Sequence, residues 1–270
     1  MLEKSKTLVV ETPEQLMRVS TRRGFLRMLG VGGAIVMLPT VFTACGDDND
    51  LTTPGGGGTP QTVTLNLSND FGILNYAYVL EQLEAAFYTG VVASAAFSSM
   101  SAEQQEVMLD LRNHEVVHRE FFKAALGSNA VATLNLSATV VASTLTSRDV
   151  IFKNAEMFED LGVAAYNGAG KYLTDASYLL AAGKIVSVEA RHAAAIRDIR
   201  EALGVTGGEA AGTRFAGDTV VNTTTGLDVK LEPGAVASRV LGLGIVSDSL
   251  SIGTPPTKAA STDAPPPTTP

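Results

Sequence analysis

The sequence predicts an all-α fold, a helical bundle followed by an irregular C-terminal extension, and three observations predict it. Four stretches between Ser68 and Gly204 carry apolar residues at three- and four-residue intervals, the period of a helix with one buried face. Helix punctuation brackets them: Ser101 with Gln104 reads as a capping box, and Gly127 and Gly204 stand where helices stop. Glu-x-x-His occurs twice, as Glu115 with His118 and Glu189 with His192, and on a helix that spacing puts carboxylate and imidazole on one face.

The first helix is expected from Ser68 to about Ala96, where Phe71, Leu74, Tyr78, Glu81, Ala85 and Tyr88 recur on one side and Ser68, Asn69 and Asp70 offer caps. The second runs from Ser101 to Gly127. Residues 128–146 are rich in Thr, Ser and Val and too irregular for a helix to be assigned, yet long enough to carry the chain back along a bundle of about 30 Å at about 3.3 Å per residue. The third helix covers Ser147 to about Tyr172 and the fourth Thr174 to Leu203, with a short break near Leu173 that favours antiparallel neighbours. Beyond Gly204 the chain is Gly- and Thr-rich, with strand pieces expected at Thr219–Val221 and Leu227–Leu231 and a short helix starting at Pro233. The tail is Pro-, Thr- and Ala-rich and is expected to be disordered. The expected organisation is residues 1–44 as an export signal, 45–67 as a flexible tether, 68–204 as the bundle, 205–252 as the extension and 253–270 as the tail.

With 270 residues, 45% hydrophobic and no Trp, the chain has enough apolar material for one ordinary bundle. Its formal charge is -8, and removing residues 1–44 leaves 14 basic against 25 acidic residues, or -11. A surface of that sign repels phosphate backbones, so nucleic acid is not an expected partner. Cys45 is the only cysteine, which excludes an internal disulfide and any cluster built on several thiolates.

Thr21 to Arg27, TRRGFLR, precedes an apolar run from Met28 to Ala44, the order of an export signal. Arg22 and Arg23 followed by Phe25 and Leu26 resemble a twin-arginine signal, which exports proteins already folded. An uncleaved membrane helix is the alternative, though about 17 residues is short for a span. Phe42-Thr43-Ala44-Cys45-Gly46 resembles a bacterial lipoprotein processing site, with Phe42 departing from the usual Leu; the resemblance implies a lipid on Cys45 and a periplasmic or cell-envelope, membrane-anchored protein. A buried structural thiol is the alternative for Cys45, but Asp47, Asp48 and Asp50 beside it do not suit a core. The Gly- and Pro-rich run from Thr53 to Pro60 then reads as a tether.

Two Glu-x-x-His pairs on the second and fourth helices raise the question of inward carboxylates on the other two. Glu81 precedes Tyr88 by seven residues and Glu159 precedes Tyr166 by seven, so each Glu shares a face with its Tyr. Glu81 to Glu159 is 78 residues, and Glu115 to Glu189 and His118 to His192 are each 74, the mark of a duplicated helix pair. Glu84 and Glu156, three residues from Glu81 and Glu159, are alternates for the same roles or solvated charges.

On Glu81, Glu115-x-x-His118, Glu159 and Glu189-x-x-His192, the stretch from Asn69 to Gly204 resembles the ferritin-like superfamily, and within it exported bacterial proteins related to desiccation-associated proteins. The resemblance implies a ferritin-like four-helix bundle with a long crossover between helices 2 and 3 and two iron or manganese ions at its centre. It implies that Glu81 and Glu159 each hold one ion, that Glu115 and Glu189 bridge both, and that His118 and His192 each cap one. Four carboxylates offset two divalent charges, imidazoles favour iron or manganese over calcium, and an open position admits oxygen or peroxide. Tyr88 and Tyr166 are then hydrogen-bond partners or radical traps, or simply core. The expected function is an oxidoreductase of ferrous iron or peroxide in envelope stress protection, with a homodimer as the assembly considered.

Two other readings stand beside it. His114-Glu115-Val116-Val117-His118 is a literal H-E-x-x-H, in which two His bind zinc and the Glu activates water in a metalloprotease. That reading gives no reason for Glu189-x-x-His192 or for the matched Glu81 and Glu159, whereas the two-metal reading gives His114 no role. The other is a non-catalytic stress or partner-binding protein whose site has degenerated.

Overall fold

The computed structural model describes residues 59–204 and 220–257. The expected export signal, Cys45, the expected tether through residue 58, residues 205–219 and the tail from residue 258 lie outside the described residues. Four long helices form the bundle. They are α1 (Asp70–Ala93), α2 (Ala102–Leu126) and, after a crossover holding the short α3 (Ala138–Ser143), α4 (Arg148–Ala169) and α5 (Ala176–Ala202). None of the described helices is long and apolar enough to cross a membrane.

Local chemistry sets the helix ends. Of the three caps offered before α1, Asn69 takes the role, its side chain accepting from Gly72 N at 3.0 Å. Ser101 and Gln104 close the capping box of α2, and Ser147 and Asp175 accept from the first turns of α4 and α5. Gly127 ends α2 at φ +52°, a conformation that a side chain would disfavour.

α1 packs along α2 and α4 along α5, and the pairs close on each other through α1 with α4 and α2 with α5. Every residue of α1 from Gly72 to Ala85 is buried, although a bundle helix needs only one covered face. The crossover supplies the second cover. Val131 N donates to Asn75 Oδ1 and Leu134 N to Gln82 Oε1, each at 2.8 Å, so the outward amides of α1 satisfy crossover backbone. Phe71, counted in the apolar series, is 41% exposed because it precedes this covered stretch.

The tether is shorter than its expected end at residue 67. Thr62–Leu65 forms β1, which pairs in parallel with β2 (Ser249–Ile252), Thr62 beside Ser249 and Leu65 beside Ile252. Val63, Leu65 and Leu67 enter the core, and that burial is why the segment is ordered. Asp248 locks the junction: its carboxylate accepts from Gln61 N at 2.9 Å and from Asn135 N at 2.8 Å.

In the extension, α6 (Pro233–Gly242) begins with Pro at its first turn and buries Val236, Ala237 and Val240. The strand pieces expected before it reduce to one antiparallel bridge, Val221 with Asp228, because a tight turn at Asn222 to Leu227 leaves no room for a longer ladder. Leu231 N donates to Ala164 O at 2.9 Å, pinning the extension on α4. Gly168 permits that approach, since a Cβ there would lie 1.8 Å from the Leu231 carbonyl oxygen.

Candidate metal centre

Six side chains from the four bundle helices converge at mid-bundle: Glu81 from α1, Glu115 and His118 from α2, Glu159 from α4, and Glu189 and His192 from α5. The four glutamates are wholly buried and His192 is 4% exposed. Such burial of like charge is costly unless something compensates it.

The oxygens are divided between two imidazoles. His118 Nδ1 faces Glu189 Oε1 at 2.9 Å, Glu81 Oε2 at 3.4 Å and Glu115 Oε2 at 3.5 Å. His192 Nδ1 faces Glu115 Oε1 at 2.9 Å, Glu159 Oε2 at 3.4 Å and Glu189 Oε2 at 4.0 Å. Glu115 and Glu189 thus give one oxygen to each side, whereas Glu81 and Glu159 serve one side each. Within either set the donor atoms lie within 4.8 Å of one another. That is close to the diameter of a coordination shell with bonds of about 2.1 Å.

Despite these short approaches, none of the facing atoms makes a hydrogen bond of proper geometry: Glu81 Oε2, Glu159 Oε2, both oxygens of Glu115 and Glu189, and both Nδ1 atoms lack one. Buried polar atoms without partners, all turned toward two common points, are what a pair of cations would satisfy. The residues present therefore fit two divalent ions.

The tyrosines finish the outer carboxylates. Tyr88 Oη donates to Glu159 Oε1 at 2.5 Å, and Tyr166 Oη donates to Glu81 Oε1. Each phenol therefore serves the opposite helix, not the Glu on its own face. With one oxygen occupied by a phenol, Glu81 and Glu159 each have the other left for the centre.

Protons compensate the cluster in the metal-free protein. Burial pushes Glu81 up to about 7 against the pull of His118. It raises Glu189 well above the carboxylate range, with help from the charges of Glu115 and Glu81. Glu159 is raised as well, chiefly by burial. Burial would also raise Glu115, but contacts with His118 and His192 outweigh it and hold this carboxyl at about 2. For His192 burial works downward, and the charge of Glu159 with the contact to Glu115 overcomes it, lifting the imidazole to about 10. His118 moves up for the same kind of reason, through Glu115, Glu189 and Glu81.

The two alternates separate. Glu156 is turned to Arg200, with Nη1 at 2.6 Å from Oε2, and joins neither donor set, so its expected share in the centre is corrected to an ion pair between α4 and α5. Asp160 and Arg197 form a similar pair, with Nε donating to Oδ1 at 2.9 Å. Glu84 is buried beside the centre without belonging to either set, and burial followed by the charge of Glu189 raises it well above the carboxylate range. Gly162 makes its space: a Cβ there would lie 2.9 Å from Glu84 Oε1 and 3.6 Å from Glu189 Oε2.

His114 has a place that sequence reasoning missed. Its Nδ1 is 2.9 Å from Nε2 of His192, and the two rings lie edge to edge and nearly coplanar, with centroids 5.1 Å apart and planes 5° from parallel. It therefore lies behind His192, away from the carboxylates, and among the described residues no group of potential ligands contains it. The zinc-protease arrangement, which needs His114 and His118 on one ion, is not formed. Burial lowers the His114 imidazole below its usual value, as does the charge of His192. A single signal pointed to it, the excess of histidines at this face of α2.

An apolar cavity of about 20 Å³ lies on the Tyr166 side, lined by Leu80, Phe122 and Tyr166 together with small residues of α4 and α5. Its lining is apolar, and its volume is about that of one water-sized guest.

A search among curated proteins gives no match. The family model described as the ferritin-like domain matches residues 69–202, from the cap of α1 to the end of α5. The helical bundle of this chain, with its buried Glu and His cluster, is a ferritin-like domain.

Proposed function

We propose that the domain is a dinuclear iron or manganese oxidoreductase that oxidises ferrous iron or breaks down peroxide. One observation carries this reading: the two donor sets share Glu115 and Glu189, each carboxylate giving one oxygen to either side. Glu81 and His118 would complete one position, and Glu159 and His192 the other. Two such ions would supply one-electron chemistry toward dioxygen or peroxide. The chain's own groups set the surroundings. Tyr166 and Tyr88 orient the outer carboxylates. Export by the twin-arginine-like segment and a lipid on Cys45 belong to the same proposal, because a folded domain loaded with metal before export is suited to envelope protection.

The test is metal content by elemental mass spectrometry beside a Glu115→Ala, Glu189→Ala double variant. Two iron or manganese per chain, lost in the variant, supports the reading and directs assays to ferrous iron and peroxide. No metal after reconstitution would overturn it in favour of a non-catalytic stress or partner-binding protein.

A further inference from the structure

The centre is built from duplicated halves, yet its two imidazoles are backed differently. Behind His192 stands His114, Nδ1 to Nε2 at 2.9 Å. The position that would back His118 in the same way, 74 residues on, is Val188, which offers no nitrogen. The donor sets themselves are alike: each has one outer Glu with its phenol, two shared Glu and one His. The residue that makes this difference lies at the surface of α2, belongs to neither donor set and reaches the centre only through His192.

The hydrogen bond has a direction once His192 turns a bare Nδ1 toward Glu115 and Glu159. A neutral imidazole with no proton on Nδ1 carries it on Nε2, so Nε2 donates and His114 Nδ1 accepts. Because the rings are nearly coplanar, with planes 5° from parallel, the hydrogen bond runs in the plane of both and resists rotation of the His192 ring about its own side chain. Backing groups of this kind fix tautomer and orientation, and their loss typically costs 10- to 100-fold in metal affinity.

Resting on the dinuclear reading, we propose that His114 is a positioning residue that holds His192 as the Nε2-protonated tautomer and makes the metal position on the Glu159 side tighter than the one on the Glu81 side. The two ions are therefore taken up in order, the Glu159 side first.

The experiment titrates the metal-free full chain with Co²⁺, following heat and visible absorption, in wild type, His114→Ala and His114→Gln. Wild type takes two ions in two steps. His114→Ala still takes two, with the tighter step weakened at least about ten-fold and the other unchanged. The Gln variant recovers most of the loss, because its amide oxygen accepts from Nε2–H. In a Glu159→Gln background, where only the Glu81 side keeps its full set, His114→Ala has no effect. With Zn²⁺ as a diamagnetic probe, ¹⁵N NMR shows a proton on His192 Nε2 in slow exchange in wild type and in fast exchange in the Ala variant. Equal weakening of both steps, no weakening, or a Gln variant no better than Ala would overturn the proposal. A wild type that binds no Co²⁺ overturns the dinuclear reading itself, an outcome distinct from these.

Discussion

Tyr88 Oη donates to Glu159 Oε1 at 2.5 Å, across the bundle from Glu81, the carboxylate on its own helix. Tyr166 returns the contact from α4 to Glu81, so two crossed ties link α1 to α4 at the centre. Each tie leaves one carboxylate oxygen for the cluster.

The crossing predicts which variant affects which ion. Tyr88→Phe weakens the ion beside Glu159 and spares the one beside Glu81, while Tyr166→Phe does the reverse, each by about ten-fold or more. Each also costs about 1–2 kcal/mol of stability in the metal-free protein, read as a lower Tm. Two-step metal titration checks the assignment.

The shifted groups predict opposite pH responses with and without metal. Glu81 at about 7 holds a proton when folded that it loses near 4.5 when unfolded, so its contribution to stability is present at low pH and fades as pH rises from about 4.5 through 7. His192 at about 10 adds stability that is complete below about 6.5 and is lost as pH rises to 10. Glu115 at about 2 runs the other way, its contribution being lost as pH falls from about 4.5 to 2. The metal-free protein is therefore most stable near pH 5 and its Tm falls by several degrees toward pH 9. Metal must displace these protons, so affinity rises over the same range and uptake acidifies a weakly buffered solution. Melting curves at pH 5, 7 and 9, with and without Mn²⁺, check both signs.

Glu156 and Glu189 should fail differently. Glu156→Ala takes the carboxylate from Arg200, which is 2% exposed, and costs about 3 kcal/mol or more while metal stoichiometry stays at two. Glu189→Ala removes one oxygen from each donor set and abolishes both ions, while relieving a buried carboxyl and leaving the metal-free protein as stable or more so. Denaturant melts beside metal analysis separate the two.

Gly168→Ala tests how the extension is seated. The added methyl carbon would sit 1.8 Å from a backbone oxygen that is held in place by the Leu231 to Ala164 hydrogen bond. The expected cost is about 3 kcal/mol, with protease cleavage near Leu231 as its signature. Gly183→Ala, which meets nothing nearby, serves as the control and leaves Tm within a degree or two.

The helices and six clustered residues were readable because their spacing is local: i, i+3 for Glu and His, two turns for Glu and Tyr, and the duplicated offsets of 74 and 78 residues. What the sequence could not supply depends on packing between distant segments. Glu84 and Glu156 look equivalent in the chain, and only the approach of Arg200, on another helix, tells them apart. Helix periodicity placed each Tyr on a face with its neighbour Glu, but the distance between facing helices decides which carboxylate it reaches. His114 sits one residue off Glu115, where a helix turns by about 100°, so its contact with His192 follows from the docking of α5. β1 was hidden in the tether because its four residues, TVTL, alternate over too short a run to stand out without the partner near residue 250.

The parallel pairing of β1 with β2 has a mechanical meaning. A pull on Thr62 directed along β1 would act against β2, which is held to the body of the domain through Asp248 and the core. In that arrangement a pull loads the inter-strand hydrogen bonds together, in shear, and does not peel them one after another. A domain tugged from its amino-terminal side would thus resist through the whole strand at once, and the helices that carry the centre would feel the force last.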